Sequence, residues 1–261
     1  MSATVIPKAT TDNVIELSVI NGKLSKKQEV RYNKDGSVDK RRNNKVAGVS
    51  SEVYPFTTED EIKSMIDTFN KHIEEAETDK KRRVCCRNKM LFLVGINLGI
   101  RASDLCGLRY SFFLESDGSF KEFYSLQPKK TKKTGKYVKL FFNETVKKAI
   151  TEYIKEYPIE DINDYLFESR KGGHITEISL GRIIKDTAEE VGIDKNICSH
   201  SLRKTFGFWA WHNAEDKNKA LVVLQKIFNH SDTATTAKYI GITNDEMSDV
   251  FNSLDLGLDY I

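Results

Sequence analysis

Two arginines, two histidines and one tyrosine stand out by type and by spacing. They are Arg101 in Gly99-Ile100-Arg101-Ala102-Ser103-Asp104-Leu105, His200 and Arg203 in His200-Ser201-Leu202-Arg203, His230 in Asn229-His230-Ser231, and Tyr239 nine residues after His230. Guanidinium groups stay protonated at any working pH and present forked donors, so a pair of them can clamp the oxygens of an anion. A phenol is a weak nucleophile near neutrality and attacks only beside a base or in a cationic surround. Each fragment alone says little, because a single buried histidine or arginine is most often a satisfied structural group. Their joint order along one chain carries the information. The acids near these residues are not paired at metal-ligand spacing, as a two-metal nuclease requires. No Gly-x-x-x-x-Gly-Lys-Ser/Thr phosphate loop occurs either. Neither a metal nor a cofactor is therefore expected.

In this order and spacing the set resembles the catalytic domain of the tyrosine recombinases, the phage-integrase family, over about residues 57–254. Arg101 matches the first family arginine. His200 and Arg203 match the His-x-x-Arg box, His230 the later histidine, and Tyr239, in Thr235-Thr236-Ala237-Lys238-Tyr239, the nucleophile. The later histidine box reads Asn229-His230 here, where the family more often has Gly-His. The family also uses a lysine in a strand-to-strand turn, and the Lys133-Thr134-Gly135 turn offers Lys133. Lys129, Lys130, Lys132 and Lys136 crowd the same hairpin as candidate DNA contacts.

The resemblance implies a site-specific recombinase or integrase that cleaves and rejoins DNA through a 3′-phosphotyrosyl intermediate. Negative charge then builds on the non-bridging oxygens of a pentavalent phosphorus, and Arg101 and Arg203 would stabilise it. Tyr239 would attack, His200 would take its proton, and Lys133 would protonate the leaving 5′-oxygen. His230 would hydrogen-bond the phosphate. Asp104, one helical turn after Arg101, would hold that guanidinium in place. The phosphotyrosyl bond conserves the energy of the broken phosphodiester, so strand exchange proceeds without ATP. Double-stranded DNA is the implied partner, with assembly into a tetrameric synapse and accessory DNA-bending proteins. The implied setting is the cytoplasm, bacterial or phage-type and nucleoid-associated.

The elements that must position these residues are mainly helical. Thr57 and Thr58 before acids predict a helix N-terminus, with Ile62, Met65, Ile66, Phe69 and Ile73 on one face. A second helix is expected over about 82–98, ended by Gly99, and a short one over 104–108 capped by Ser103. Between Phe112 and Phe142 the pattern turns β-prone. Turn signals at Ser116-Asp117-Gly118-Ser119 and Lys133-Thr134-Gly135-Lys136 predict a three-stranded antiparallel sheet. Helices over about 143–156, 177–191, 201–213 and 217–228 follow, then shorter ones near 233–240 and 244–254. The fold class is α+β, mainly helical, with a small sheet.

Composition narrows the setting. The 261 residues are 39% hydrophobic and 30% charged, enough to build a core. Four cysteines without Cys-x-x-Cys spacing fit a reducing compartment and disfavour a structural zinc site. The longest uncharged run, Met90 to Ile100, is too short to cross a bilayer, so no membrane partner is expected. Charge is uneven. Residues 1–50 carry ten basic and five acidic side chains, a net +5 within a total of +3. Their one aromatic residue is Tyr32. Residues 1–54 are therefore read as a basic, extended or disordered arm with one short strand within Val14–Val19, and 55–261 as the catalytic domain with a helix after the nucleophile.

The arm does not read as the helical core-binding domain that family members usually carry ahead of the catalytic domain. A short family member, a fragment, and an arm that folds on DNA all fit this sequence. Two other functions stay open at this point. One is a type IB topoisomerase or telomere resolvase, which shares the chemistry. The other is a catalytically silent DNA-binding protein on the same fold, against which the intact set of reactive residues argues.

Overall fold

The computed structural model describes residues 17–20, 23–26, 52–130 and 135–242. The chain divides into two compact units, Met1–Ser51 and Glu52–Ile261. In the first unit β1 (Leu17–Ile20) pairs antiparallel with β2 (Lys23–Lys26), Ile20 facing Lys23 and Leu17 facing Lys26. A single strand was expected here. The residues between the strands are Asn21-Gly22, the strongest two-residue hairpin signal, and that signal outweighs the lack of apolar alternation.

The second unit is built around α2 (Asp79–Leu98), which packs against α1 (Glu59–Glu74), α4 (Glu144–Glu156) and α6 (Ser199–His212). Thr58 and Glu61 form a reciprocal capping box at the start of α1, as the threonine–acid run predicts. Helix α2 begins three residues before the expected Arg82. Thr78 caps it by accepting the Lys81 N–H, a start signal that precedes the apolar face. Leu91, Phe92 and Val94 are fully buried at the centre of the core.

Gly99 ends α2 in the left-handed region at φ 61°. The chain reverses there into α3 (Ala102–Cys106). The cap of α3 is Arg101, not the expected Ser103, and the Arg101 side chain makes no capping bond. An arginine at that position keeps its guanidinium available for other work.

The sheet is smaller than the sequence predicts. Among the described residues it has two strands, β3 (Phe123–Leu126) and β4 (Val138–Phe141), paired with Phe123 opposite Phe141 and Leu126 opposite Val138. The expected first strand is replaced by a 3₁₀ turn over Tyr110–Phe112. The N–H groups of Phe113 and Leu114 both bond back to the Tyr110 carbonyl, at 2.8 and 2.9 Å, so they are not available to a ladder. The Ser116–Ser119 turn forms, but it closes only the single bridge Leu114–Phe120.

The remaining helices are α5 (Glu177–Glu190), α7 (Lys217–Phe228) and α8 (Thr233–Ile240), capped by Thr176, Asp216 and Asp232. A second apolar cluster of Leu224, Phe228 and Ile240 joins α6, α7 and α8. Its packing is close at Gly207, where an added Cβ would lie 2.5 Å from Ile240 Cγ2. The helix expected near 244–254 lies outside the described residues. No described helix is long and apolar enough to cross a membrane.

Candidate active site

Helix α6 presents His200 in its first turn and Arg203 one turn later, so both face the same side. Arg203 is 6% exposed. Its Nη1 donates to the Gly99 carbonyl at 2.5 Å and its Nη2 to the Phe228 carbonyl at 3.1 Å, and its guanidinium lies 4.3 Å from the Phe228 ring centroid. Arg203 thus joins the end of α2 to the end of α7. Burial pulls it down to about 10, and the Arg101 charge adds to that, while Tyr239 and Asp104 oppose it. It stays cationic at neutral pH.

Arg101, Asp104, Arg203, Lys136, Lys226 and Asn229 line one cleft of about 200 Å³. Asp104 is buried, and its Oδ1 accepts the Lys129 backbone N–H at 2.8 Å. What this carboxylate holds is the base of the β3–β4 hairpin. From the returning side of the hairpin, Lys136 Nζ donates to Asn229 Oδ1 at 3.1 Å. Lys129 and Lys130 are exposed, and the Lys130 charge lies near enough to His200 to lower its pKa. Lys132 and Lys133 lie outside the described residues.

Asn229 ends α7 at φ 53°, ψ 48°, the left-handed conformation. That explains the residue choice, since glycine and asparagine are the types that adopt it at least cost. The turn sends His230 back over the helix end, its N–H bonded to the Gln225 carbonyl at 3.0 Å. Thr236 fixes the ring. Its hydroxyl donates to the Asp232 carbonyl at 3.2 Å, so its oxygen accepts from His230 Nδ1 at 3.1 Å and Nε2 is left to face a ligand. Burial first, then Arg203 and Arg101, lower the pKa of His230. His200 is lowered by desolvation and then by Arg203, with Glu177 of α5 opposing. Both imidazoles are therefore held toward their neutral forms, in which a nitrogen can accept a proton.

Tyr239 lies on α8, its ring edge-on to His230 and Phe228 at 5.0 and 5.4 Å between centroids. Burial raises its pKa, and the charge and hydrogen bonding of Arg203, with the charge of Arg101, pull it back down. Arg101 and Arg203 thus line the cleft, and His200, His230 and Tyr239 lie near enough to Arg203 for its charge to shift their pKa values. Sequence reasoning missed three neighbours. Thr236 orients His230, Lys226 adds a cation to the cleft, and Lys204 places its ammonium 5.4 Å from the Tyr239 ring centroid. Only Lys204 had a signal, its place directly after Arg203 in the motif.

A family model described as the phage integrase family matches residues 55–246. The probable integrase/recombinase YoeC of Bacillus subtilis (strain 168) is 36% identical over 160 residues, 61% of this chain and 80% of that protein. The tyrosine recombinase XerC of Halalkalibacterium halodurans is 24% identical over 198 residues, 76% of this chain and 61% of its own length. Among solved structures, the XerA recombinase aligns with a TM-score of 0.56 at 22% identity, covering 80% of this chain and 66% of that one. XerH, bound to its palindromic difH substrate in a post-cleavage complex, aligns with a TM-score of 0.55 at 19% identity, covering 85% and 59%. At these identities the structural likeness is one of fold. The chain spans less than two thirds of the length of XerC, XerA and XerH.

Proposed function

The chain belongs to the phage integrase family, and on that premise we propose that it is a site-specific DNA recombinase that cleaves and rejoins DNA through a 3′-phosphotyrosyl intermediate. The observation that carries this reading is the Tyr239 phenol set against the buried Arg203 guanidinium, within reach of the Arg101 charge and edge-on to His230. In this reading a scissile phosphate occupies the cleft. Arg101 and Arg203 donate to its non-bridging oxygens, and His230 adds a donor from Nε2 when protonated. His200 takes the phenolic proton as the Tyr239 oxygen attacks phosphorus. The 5′-oxygen departs with a proton from the hairpin, for which we assign Lys133. Reversal of these steps by another strand's 5′-hydroxyl rejoins DNA. Asp104 supports the site from behind by fixing Lys129 and with it the hairpin base.

The partner in this reading is double-stranded DNA, with Lys129, Lys130, Lys132 and Lys136 contacting its phosphates. Two duplexes with two cleavage sites each require four active sites, hence a tetrameric synapse, aided by DNA-bending proteins. A DNA substrate of bacterial or phage type would place the protein at the nucleoid.

A nicked suicide duplex tests the reading, because loss of the short fragment traps covalent protein–DNA. Tyr239→Phe should bind as wild type and give no adduct. An adduct retained by Tyr239→Phe would overturn the assignment. Lys133→Ala should slow cleavage of a normal 5′-oxygen substrate by about a hundred- to ten-thousandfold. A substrate with 5′-bridging sulfur should be nearly unaffected, and equal slowing of both would remove Lys133 from the acid role.

A further inference from the structure

Lys204 is one of the few buried charged residues of the domain, at 8% exposure. Burying an ammonium is costly unless its surroundings answer the charge, so such a lysine calls for a reason. Its surroundings are specific. The Nζ lies over the face of the Tyr239 ring, 5.4 Å from the centroid, within the range where a cation is attracted to the ring's negative face. Burial lowers the pKa of Lys204, and the Glu52 carboxylate opposes this by supplying opposite charge.

Glu52 does not stand alone. Its carbonyl accepts from Asn196 Nδ2 at 2.8 Å, and the Tyr54 N–H donates to the Asn196 carbonyl at 3.1 Å. The Phe56 N–H donates to Thr205 Oγ1 at 2.9 Å, and Trp209 Nε1 donates to the Phe56 carbonyl at 3.0 Å. The strap of residues 52–57 is therefore tied to Asn196 ahead of α6 at its Glu52 end and to α6 itself at Phe56. Lys204 sits between this strap and the nucleophile helix.

We propose that Lys204 is a positioning residue for the nucleophile: its buried ammonium, answered by Glu52, holds the Tyr239 ring in orientation through its face and favours the ionised phenol as attack proceeds. The inference rests on the assignment of Tyr239 as nucleophile. Arg203 and Arg101 act on the same tyrosine through its hydroxyl side, so the two kinds of contact are separable. Arginines address the oxygen, and the lysine addresses the ring.

Two measurements on the full chain test this, one independent of any DNA. The first follows tyrosine ¹³Cζ resonances against pH, the Tyr239 signal being identified by its loss in Tyr239→Phe. The groups facing Tyr239 are Arg203 and Lys204 of α6, Cys198 at its cap, Arg101 at the cap of α3, and His230 before α8. Lys204→Met keeps the length of the side chain and removes its charge, and should move the Tyr239 titration to higher pH. Lys204→Arg should restore it. An unchanged titration in Lys204→Met would overturn the proposal. The second measures covalent trapping on a nicked duplex carrying the site that the full chain selects from random-sequence DNA. Lys204→Met should bind equally and cleave about two- to thirtyfold more slowly, the range of a cation–ring contact. Lys204→Arg should recover most of the rate. Equal rates for wild type and Lys204→Met would refute the positioning role. Loss of the rate in Lys204→Arg as well as Lys204→Met would also refute it, marking the site as merely structural. An adduct formed normally by Tyr239→Phe would instead refute the nucleophile assignment, while the titration still reports on the contact.

Discussion

Replacing Gly207 by alanine sets two effects of known size against each other. Gly207 lies inside α6, and alanine is favoured over glycine in a helix interior by about 1 kcal/mol. If nothing else changed, the protein would be stabilised. The new Cβ, however, would lie 2.5 Å from Ile240 Cγ2 and 2.8 Å from both Cε2 and Cζ of Phe228. These are buried side chains of α8 and α7, so the strain cannot be relieved by swinging a side chain into solvent. Overpacking of this kind costs about 1–3 kcal/mol. The net is a loss of about 0–2 kcal/mol, or a fall of up to about 8 °C in Tm for a domain of this size. The larger effect should be on cleavage. Ile240 is the residue after Tyr239, and the Phe228 carbonyl holds Arg203, so the same push moves both. Misplacement by about 1 Å commonly costs about a hundredfold in rate. Thermal unfolding and single-turnover trapping on a nicked duplex would be measured together. A raised Tm with undiminished cleavage would show that α6, α7 and α8 adjust freely, and would refute the reasoning.

Other consequences follow from the same structure. Gly99→Ala places a Cβ 2.2 Å from Phe206 Cδ1 at a positive φ, and should destabilise by about 3 kcal/mol or more in urea unfolding; a loss below 1 kcal/mol would mean that the turn relaxes. His200 and His230 have native pKa values below the unfolded value of about 6.5, so the unfolded chain binds more protons as pH falls through that value. Stability should therefore drop between pH 6.5 and the native pKa values, and a His200→Gln, His230→Gln protein should show a flatter profile by chemical denaturation. Removing residues 1–50, which carry net +5, should lower DNA affinity for all sequences alike and reduce the slope of log K against log salt by about 4–5 units if all five charges meet phosphates. Parallel binding lines with equal affinity would show the arm to be idle.

The sequence was most informative where residue type and chemistry coincide. Arg101, His200, Arg203, His230 and Tyr239 are spread over 139 positions, and the fold brings the other four within reach of the Arg203 charge. Helix ends marked by threonine or aspartate with a following acid or amide N–H were legible too, as at Thr58. Less legible were features that depend on where backbone groups are spent. The third strand fails because Phe113 and Leu114 return their N–H groups to Tyr110, and nothing in the side-chain pattern announces that. Nor does the local pattern show that Asp104 binds the backbone of Lys129, twenty-five positions on. Asn229 is intermediate. The left-handed turn was implicit in its exchange for glycine, but its bond to Lys136 arises only from tertiary approach.

The two carbonyls that Arg203 holds limit what it can offer a substrate. A guanidinium has five N–H donors. One hydrogen on Nη1 is committed to Gly99 and one on Nη2 to Phe228. Three remain, and the Tyr239 phenol, close enough for Arg203 to lower its pKa, would draw on one of these. The Arg101 side chain makes no capping bond. The two arginines thus differ: Arg203 is fixed by two backbone carbonyls, whereas the Arg101 side chain is not spent on capping α3. In the proposed mechanism the phenolic oxygen would move away from Arg203 to bond phosphorus, and an Arg203 donor would then become available to the phosphate as its charge builds. Departure of the nucleophile from its resting contact and reinforcement of the electrophile would then be a single displacement.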